Sequence, residues 1–367
     1  MEPVLELIVS TQPGGGPQHV LALATGLRQR GWRPLVAGPR DGALFDRFRS
    51  AGAEIVAAAT RRFSPLTLAR LTRLARRSGA RLVHSHGKGA GVYGRLVARR
   101  LGLPAVHTFH GIHHEAYSRP ARAAYLALER RLSRWTRVVV NVSRAQEAEG
   151  LALGLFARTQ SRVIVNGVDG AKLASTALDR WDARVALGLD TAAPVVGCAA
   201  RFDPVKRLDL LVRACAALPD PAARLVLIGR GPEDRRLRAL ATNLGVASRI
   251  VFAGEIPDAA RLFLAFDVYA APSAKEGMPV AVLEAMALGL PVVASDIPAH
   301  REVLGPQSGG LVAESVEALA VTLGRLLADP DGRGLLGSMN RTRARSEFSL
   351  HAMLDSVAAV YREATGL

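Results

Sequence analysis

Short apolar runs alternate with amphipathic stretches from residue 4 to residue 165, and the same order restarts at Val195. This repeated alternation constrains the fold more than any other feature. Parallel strands need crossovers, and helical crossovers cover both faces of a sheet. Residues 4–10, 34–37, 54–58, 82–86, 105–109, 138–142 and 163–165 read as strands, with helices at 19–29, 44–51, 66–77, 91–101 and 121–135. In the second half the strands are 195–199, 225–228, 250–253, 268–271 and 291–294, with helices at 208–218, 233–244 and 280–287. The polar stretch 179–194 reads as the junction. The expected architecture is α/β, with two doubly wound, Rossmann-like domains facing across a cleft. Ligands are expected at the carboxyl ends of the strands. The domains are placed at 1–185 and 186–348, with a separate helix near 349–367.

The 367 residues, 49% of them hydrophobic, suffice for two cores and exclude a disordered or collagen-like chain. Two cysteines, Cys198 and Cys215, make neither a disulfide scaffold nor a metal cluster by themselves. No apolar run reaches about 18 residues, and the start lacks a basic n-region. The expectation is a cytoplasmic chain, peripheral at most on the cytoplasmic face of the inner membrane. Its net charge is +16. Residues 1–186 hold 29 basic and 12 acidic residues, and residues 187–367 hold 19 and 20. A one-sided excess points to an anionic partner: nucleic acid, lipid headgroups or a phosphorylated substrate. Arginine-biased composition explains the preference for Arg over Lys but not the asymmetry.

Several segments carry candidate chemistry. Gly14, Gly15 and Gly16 follow the first strand and precede a helix, as a tight turn or a phosphate loop would. Arg201 and Lys206 follow the first strand of the second half, where two cations clamp a pyrophosphate or simply line a solvated loop. Glu276 and Glu284 flank the Gly277-Met278-Pro279 break in an apolar setting. Carboxylates only accept hydrogen bonds, which suits the hydroxyls of sugars. Histidines gather at 84, 86, 107, 110, 113 and 114. His84 and His86 are assigned to opposite sides of a strand, and the group is read as polar lining rather than a metal site. Asp329-Pro330-Asp331 reads as a turn.

Glu276 to Glu284 with the apolar run after it, Asn166-Gly167-Val168-Asp169, Arg201 with Lys206, Gly229-Arg230-Gly231-Pro232 and the early glycine turn together resemble family 4. That is a family of retaining, nucleotide-sugar-dependent glycosyltransferases with the GT-B fold. The resemblance spans nearly the whole chain. It implies that Arg201 and Lys206 hold the donor diphosphate, Glu276 the transferred sugar and Glu284 the ribose. Gly15, Gly16, Gly229, Gly231, Gly277, Met278 and Pro279 would complete the donor site, with His110 beside the donor sugar. His110, Arg201, Lys206 and Glu276 are the implied catalytic residues. The implied donor is a UDP- or GDP-sugar, with no metal or other cofactor. The last helix is expected to return to the N-terminal domain. One departure is the continuation Pro17-Gln18-His19, where many members carry an acidic or basic residue after the glycines.

The basic half would then bind the acceptor, a saccharide or lipid-linked saccharide. Tyr125, Leu128, Leu132 and Trp135 form one stripe of the 121–135 helix. Arg122, Arg130 and Arg134 beside it, with His86 and Lys88, are assigned to the acceptor or to an anionic membrane surface. Two alternatives stand beside this: a GT-B-type nucleotide-sugar 2-epimerase and a basic nucleic-acid-binding protein. The Glu276–Glu284 context disfavours the first. The second lacks any recognised binding motif and has only 5% aromatics for stacking, so no nucleic-acid partner is expected.

Overall fold

The computed structural model describes every residue except His113, Ala116 and Gln307. The chain forms two compact units, Met1–Asn166 with Leu350–Leu367, and Gly167–Ser349.

The first unit is built on seven parallel strands: β1 (Glu2–Ile8), β2 (Trp32–Gly38), β3 (Glu54–Ala57), β4 (Leu82–His86), β5 (Ala105–Phe109), β6 (Val138–Asn141) and β7 (Ser161–Val163). Their order is β3-β2-β1-β4-β5-β6-β7. The crossovers hold α1 (Gly15–Gly26), α2 (Leu44–Ser50), α3 (Pro65–Arg77), α4 (Lys88–Leu101), α5 (Arg119–Ser133) and α6 (Arg144–Ala152). Strand residues alternate between two cores, as the period-two geometry requires. Leu5, Leu7 and Val83 pack with Leu71, Tyr93 and Val97. Val4, Leu82 and Val106 pack on the other face with Leu354, Val357 and Tyr361 of the C-terminal helix Leu350–Thr365. That helix lies close to α1, where a Cβ on Gly26 would come within 2.3 Å of Leu354 Cδ1. Arg95 of α4 and Glu129 of α5 form a 2.8 Å ion pair, both at most 1% exposed.

The second unit has six parallel strands: β8 (Val195–Ala199), β9 (Arg224–Ile228), β10 (Ile250–Gly254), β11 (Val268–Ala271), β12 (Val292–Ser295) and β13 (Leu311–Val312). They run in the order β10-β9-β8-β11-β12-β13. Helices α7 (Gly170–Thr176), α8 (Arg180–Ala186), α9 (Leu208–Ala217), α10 (Asp234–Asn243), α11 (Val280–Ala287), α12 (Pro298–Leu304), α13 (Val316–Ala328) and α14 (Pro330–Glu347) complete it.

The division falls at residue 166 rather than 185, and residues 179–194 are no linker. Arg184 of α8 is 1% exposed; it donates to Ala265 O at 3.0 Å and to Asp267 Oδ2 at 2.9 Å. Arg180 pairs with Asp267 Oδ1 at 2.7 Å, and Leu178 N donates to Arg261 O at 2.9 Å. Buried charge pairing of this kind welds a polar segment to its unit. With this boundary the first unit holds 27 basic and 11 acidic residues and the second 21 of each, so the first carries the whole excess of +16.

Candidate active site

In parallel sheets the carboxyl ends of all strands lie along one edge, and the loops leaving that edge carry the candidate residues. In the second unit, Lys206 follows β8 and Glu276 follows β11. Lys206 Nζ donates to Glu276 Oε1 at 2.6 Å. Ser273 Oγ donates to the same oxygen at 2.7 Å. Burial alone would raise the Glu276 carboxyl, but Lys206, with His300 and Ser273, outweighs it and the net shift is downward. Glu276 is therefore an ionised acceptor at neutral pH. An ammonium has three N–H groups and Glu276 takes one, which leaves donors for phosphate oxygens. Arg201 pairs with Asp203 and is 57% exposed.

A further layer holds Glu276. Ser295 Oγ, at the end of β12, donates to Ser273 O. His300 Nδ1 lies 2.8 Å from Ser295 O, and burial pushes this imidazole down. Tyr269 of β11 donates to Ala199 O at 3.1 Å, fixing the end of β8. Sequence reasoning missed Ser273, Ser295, His300 and Tyr269; no local signal separates such residues from ordinary strand ends. Gly277, Met278 and Pro279 are buried ahead of α11, and Glu284, half-buried, is on α11 itself.

Gly229 and Gly231 serve the protein backbone. A Cβ on Gly229, at φ +140°, would lie 1.9 Å from Ala200 O. One on Gly231 would lie 2.6 Å from Phe202 O. These glycines let the loop after β9 press on the loop that carries Arg201.

In the first unit, Gly15 and Gly16 open α1, and a Cβ on Gly16 would touch the His110 ring at 3.4 Å. Beneath them lies a buried polar layer. His86 Nε2 donates to Glu6 Oε2 at 2.8 Å. Tyr361 of the C-terminal helix donates to Glu6 Oε1. His84 Nδ1 lies 2.6 Å from Tyr361 Oη, and its Nε2 lies 2.7 Å from Thr108 Oγ1. His86 Nδ1 and His110 Nε2 are 3.1 Å apart. His19 Nδ1 lies 2.9 Å from Asn166 Oδ1. Burial would raise Glu6, but His84 and His86 outweigh it and hold the carboxyl well below its usual range. Burial lowers His86 to about 4 and His19 to about 3, and lowers His110 too. The layer thus holds one carboxylate close to three imidazoles, His19, His86 and His110, that burial keeps neutral.

Three expectations change here. His84 and His86 share a face, with ring centroids 4.0 Å apart. Side chains two apart in a strand point the same way; Ser85 between them turns to His107 on the other face. His86 is 2% exposed, so it faces no membrane. The α5 stripe is split, because Leu132 is buried while Leu128 is 44% exposed. Of its neighbours, Arg122 and Arg134 are exposed, and Arg130 donates to Leu153 O at 2.8 Å. Lys88 donates to Tyr117 Oη at 3.0 Å and lies 4.4 Å from the centroids of both Tyr117 and Tyr125. His114 lies apart, 3.3 Å from Glu149, and His113 is outside the described residues.

Comparison with known proteins settles the family. Residues 13–172 match the model of glycosyltransferase family 4, and residues 179–343 match that of glycosyl transferases group 1. The lipopolysaccharide core biosynthesis mannosyltransferase LpsB of Rhizobium meliloti is 30% identical, over 64% of this chain and 70% of its own. The D-inositol 3-phosphate glycosyltransferase of Saccharomonospora viridis is 32% identical, over 77% and 70%. The chain is a family 4 glycosyltransferase. Its fold is GT-B, shared with Anabaena HepE, solved with UDP and glucose, at TM-score 0.88 and 24% identity over 99% of this chain and all of that one. The sucrose-phosphate synthase of Thermosynechococcus elongatus matches at TM-score 0.84 and 23% identity, over 99% of each chain. In this glycosyltransferase no described helix is long and apolar enough to cross a membrane.

Proposed function

We propose that the enzyme transfers a sugar, with retention, from a UDP- or GDP-sugar bound by the second unit. The acceptor is a hydroxyl of a saccharide or lipid-linked saccharide bound by the first, in envelope polysaccharide or glycolipid synthesis. The observation that carries this is the Lys206–Glu276–Ser273 constellation at the carboxyl edge of the second sheet. It sets a cation for a departing diphosphate beside an ionised acceptor for sugar hydroxyls. Lys206 and Arg201 stabilise the leaving charge electrostatically. Glu276 orients the sugar and is no covalent nucleophile. Retention comes from attack by the acceptor hydroxyl on the face that the diphosphate leaves. His110 sits beside the sugar, and Glu284 holds the ribose.

The test is thermal stabilisation across UDP-, GDP- and ADP-sugars. A donor at about 100 times its Kd adds about 2.7 kcal/mol. We expect UDP- or GDP-sugars alone to raise Tm; no response to any of them removes the donor assignment.

The charge of the basic unit also supports adsorption to an anionic membrane, and the exposed residues around α3 are the face proposed for it. Phe63 and Leu66 are 58% and 59% exposed. Arg40, Arg70, Arg73 and Arg77 line a groove of about 490 Å³ beside them, with Val56 and Leu74. Basic residues near such a surface contribute about 1 kcal/mol each. Sedimentation with anionic liposomes, lost in an R70E/R73E variant and absent with neutral liposomes, is the expected result. Equal sedimentation with both lipids overturns it.

A further inference from the structure

Three imidazoles of the first unit bring one ring nitrogen each close together. His86 gives its Nε2 proton to Glu6, so its Nδ1 presents a lone pair. His19 is 4% exposed and gives its Nδ1 proton to Asn166 Oδ1. Its Nε2 is then a second lone pair, and it is buried with no hydrogen-bond partner. His110 Nε2 donates to that His86 Nδ1 at 3.1 Å. One ring nitrogen from each of the three lies within 4.8 Å of the others. The stranded lone pair of His19 Nε2 calls for an electrophile beside the hydrogen-bonded His86–His110 pair.

We propose that His19, His86 and His110 bind one divalent transition-metal ion of the zinc class. Zinc–imidazole bonds of about 2.0–2.1 Å in a tetrahedron put ligand nitrogens roughly 3.3–3.4 Å apart. The His86–His110 pair, at 3.1 Å, needs to open by only about 0.2–0.3 Å, and His19 reaches the spacing with a shift on the order of 1 Å. Two of the three rings have the outer-shell partner that metal-binding histidines use. A carboxylate, Glu6, holds His86, and an amide oxygen, Asn166, holds His19. All three are neutral at physiological pH, as ligands must be. On binding, His110 Nε2 gives up the proton it donates to His86, and the ring carries its one proton on Nδ1 instead. Three imidazoles suit Zn²⁺, Co²⁺ or Ni²⁺ and not Mg²⁺ or Ca²⁺, which take oxygen ligands. The half-buried His110 leaves the fourth position open to water or a substrate oxygen. The site shares His110 with the proposed donor reading, but metal uptake is measured without donor, so the two readings fail separately.

The test is equilibrium dialysis of the full chain against Zn²⁺, with metal counted per chain, and the visible ligand-field absorption of the Co²⁺ form. One ion per chain is expected, with none of Mg²⁺. Asn166→Ala lowers affinity by about 10–100-fold, and His19→Ala or His110→Ala by more. His351→Ala, at an exposed histidine of the C-terminal helix, leaves uptake unchanged. Circular dichroism checks each fold; should His19→Ala not fold, His110→Ala carries the comparison. Uptake by the wild type no greater than by His110→Ala, or an equal loss in His351→Ala, overturns the site.

Discussion

Lys206→Ala lowers kcat by about 10²–10³-fold, the loss seen when one preorganised donor to a developing anion is removed. The ammonium sits 2.6 Å from Glu276, with side-chain exposures of 22% and 13% for the two residues. Little solvent is available there to replace it. Glu276→Gln is expected to reduce kcat comparably, because an amide cannot accept from sugar hydroxyls through both atoms. Lys206→Ala also leaves a carboxylate with only Ser273 to satisfy it, so some stability is lost with the rate. The double variant Lys206→Ala/Glu276→Gln removes that unpaired charge and recovers the stability but not the rate. Steady-state rates with saturating donor, beside Tm for each variant, separate the two effects. Near-wild-type kcat in either folded single variant removes the assignment of this pair.

Acid destabilises the first unit well before ordinary carboxylates are protonated. His86 falls from 6.5 to about 4 and His19 from 6.5 to about 3 on folding, both first by burial. His107 and His110 move the same way. The unfolded chain therefore binds more protons between about pH 6.5 and 4, and stability falls as pH falls through that window. Glu6, also depressed, adds a loss below its ordinary value of 4.5. The groups packed around these rings are Tyr361 of the C-terminal helix, His84 and Thr108 of the sheet and Asn166, with Arg95 beside His107. Each pKa unit is worth about 1.4 kcal/mol, so His86 alone contributes about 3 kcal/mol. For a unit of this size that is roughly 6–12 °C in Tm between neutral pH and about pH 4.5. A Tm that stays level from about pH 7 to pH 5 would show that the imidazoles are not buried as described.

The alternation of strands and helices was legible because parallel strands are buried on both faces and read as continuous apolar runs. The bounds of β4, β5, β8, β11 and α11 match the sequence reading residue for residue. The junction was not legible. Residues 179–194 are polar in the way linkers are, yet Arg184 is buried against Asp267, a partner 83 residues away. Glycine was half legible. The resemblance assigned Gly229 and Gly231 to the donor site, but the Ala200 and Phe202 backbones that press on them belong to a loop about thirty residues earlier. In the first strand, Glu6 broke an apolar run and could have been noticed as a charge on a core-facing position.

The sequence by itself determined the class of fold, the two-unit plan, the charge asymmetry and the family, because periodicity, composition and motif spacing are local properties of the chain. It also named Lys206 and Glu276, which lie 70 residues apart but each in a recognisable segment. Only the tertiary structure decided which side chains meet. Glu6 and Tyr361 are 355 residues apart, and His19 and Asn166 are 147 apart. Parallel register sets Glu6 beside His84 and His86 beside Thr108 in one polar layer beneath the glycine turn, and a helix returning from the end of the chain closes it. Periodicity cannot report such convergence, because it arises from the order of strands in the sheet and not from their order in the chain.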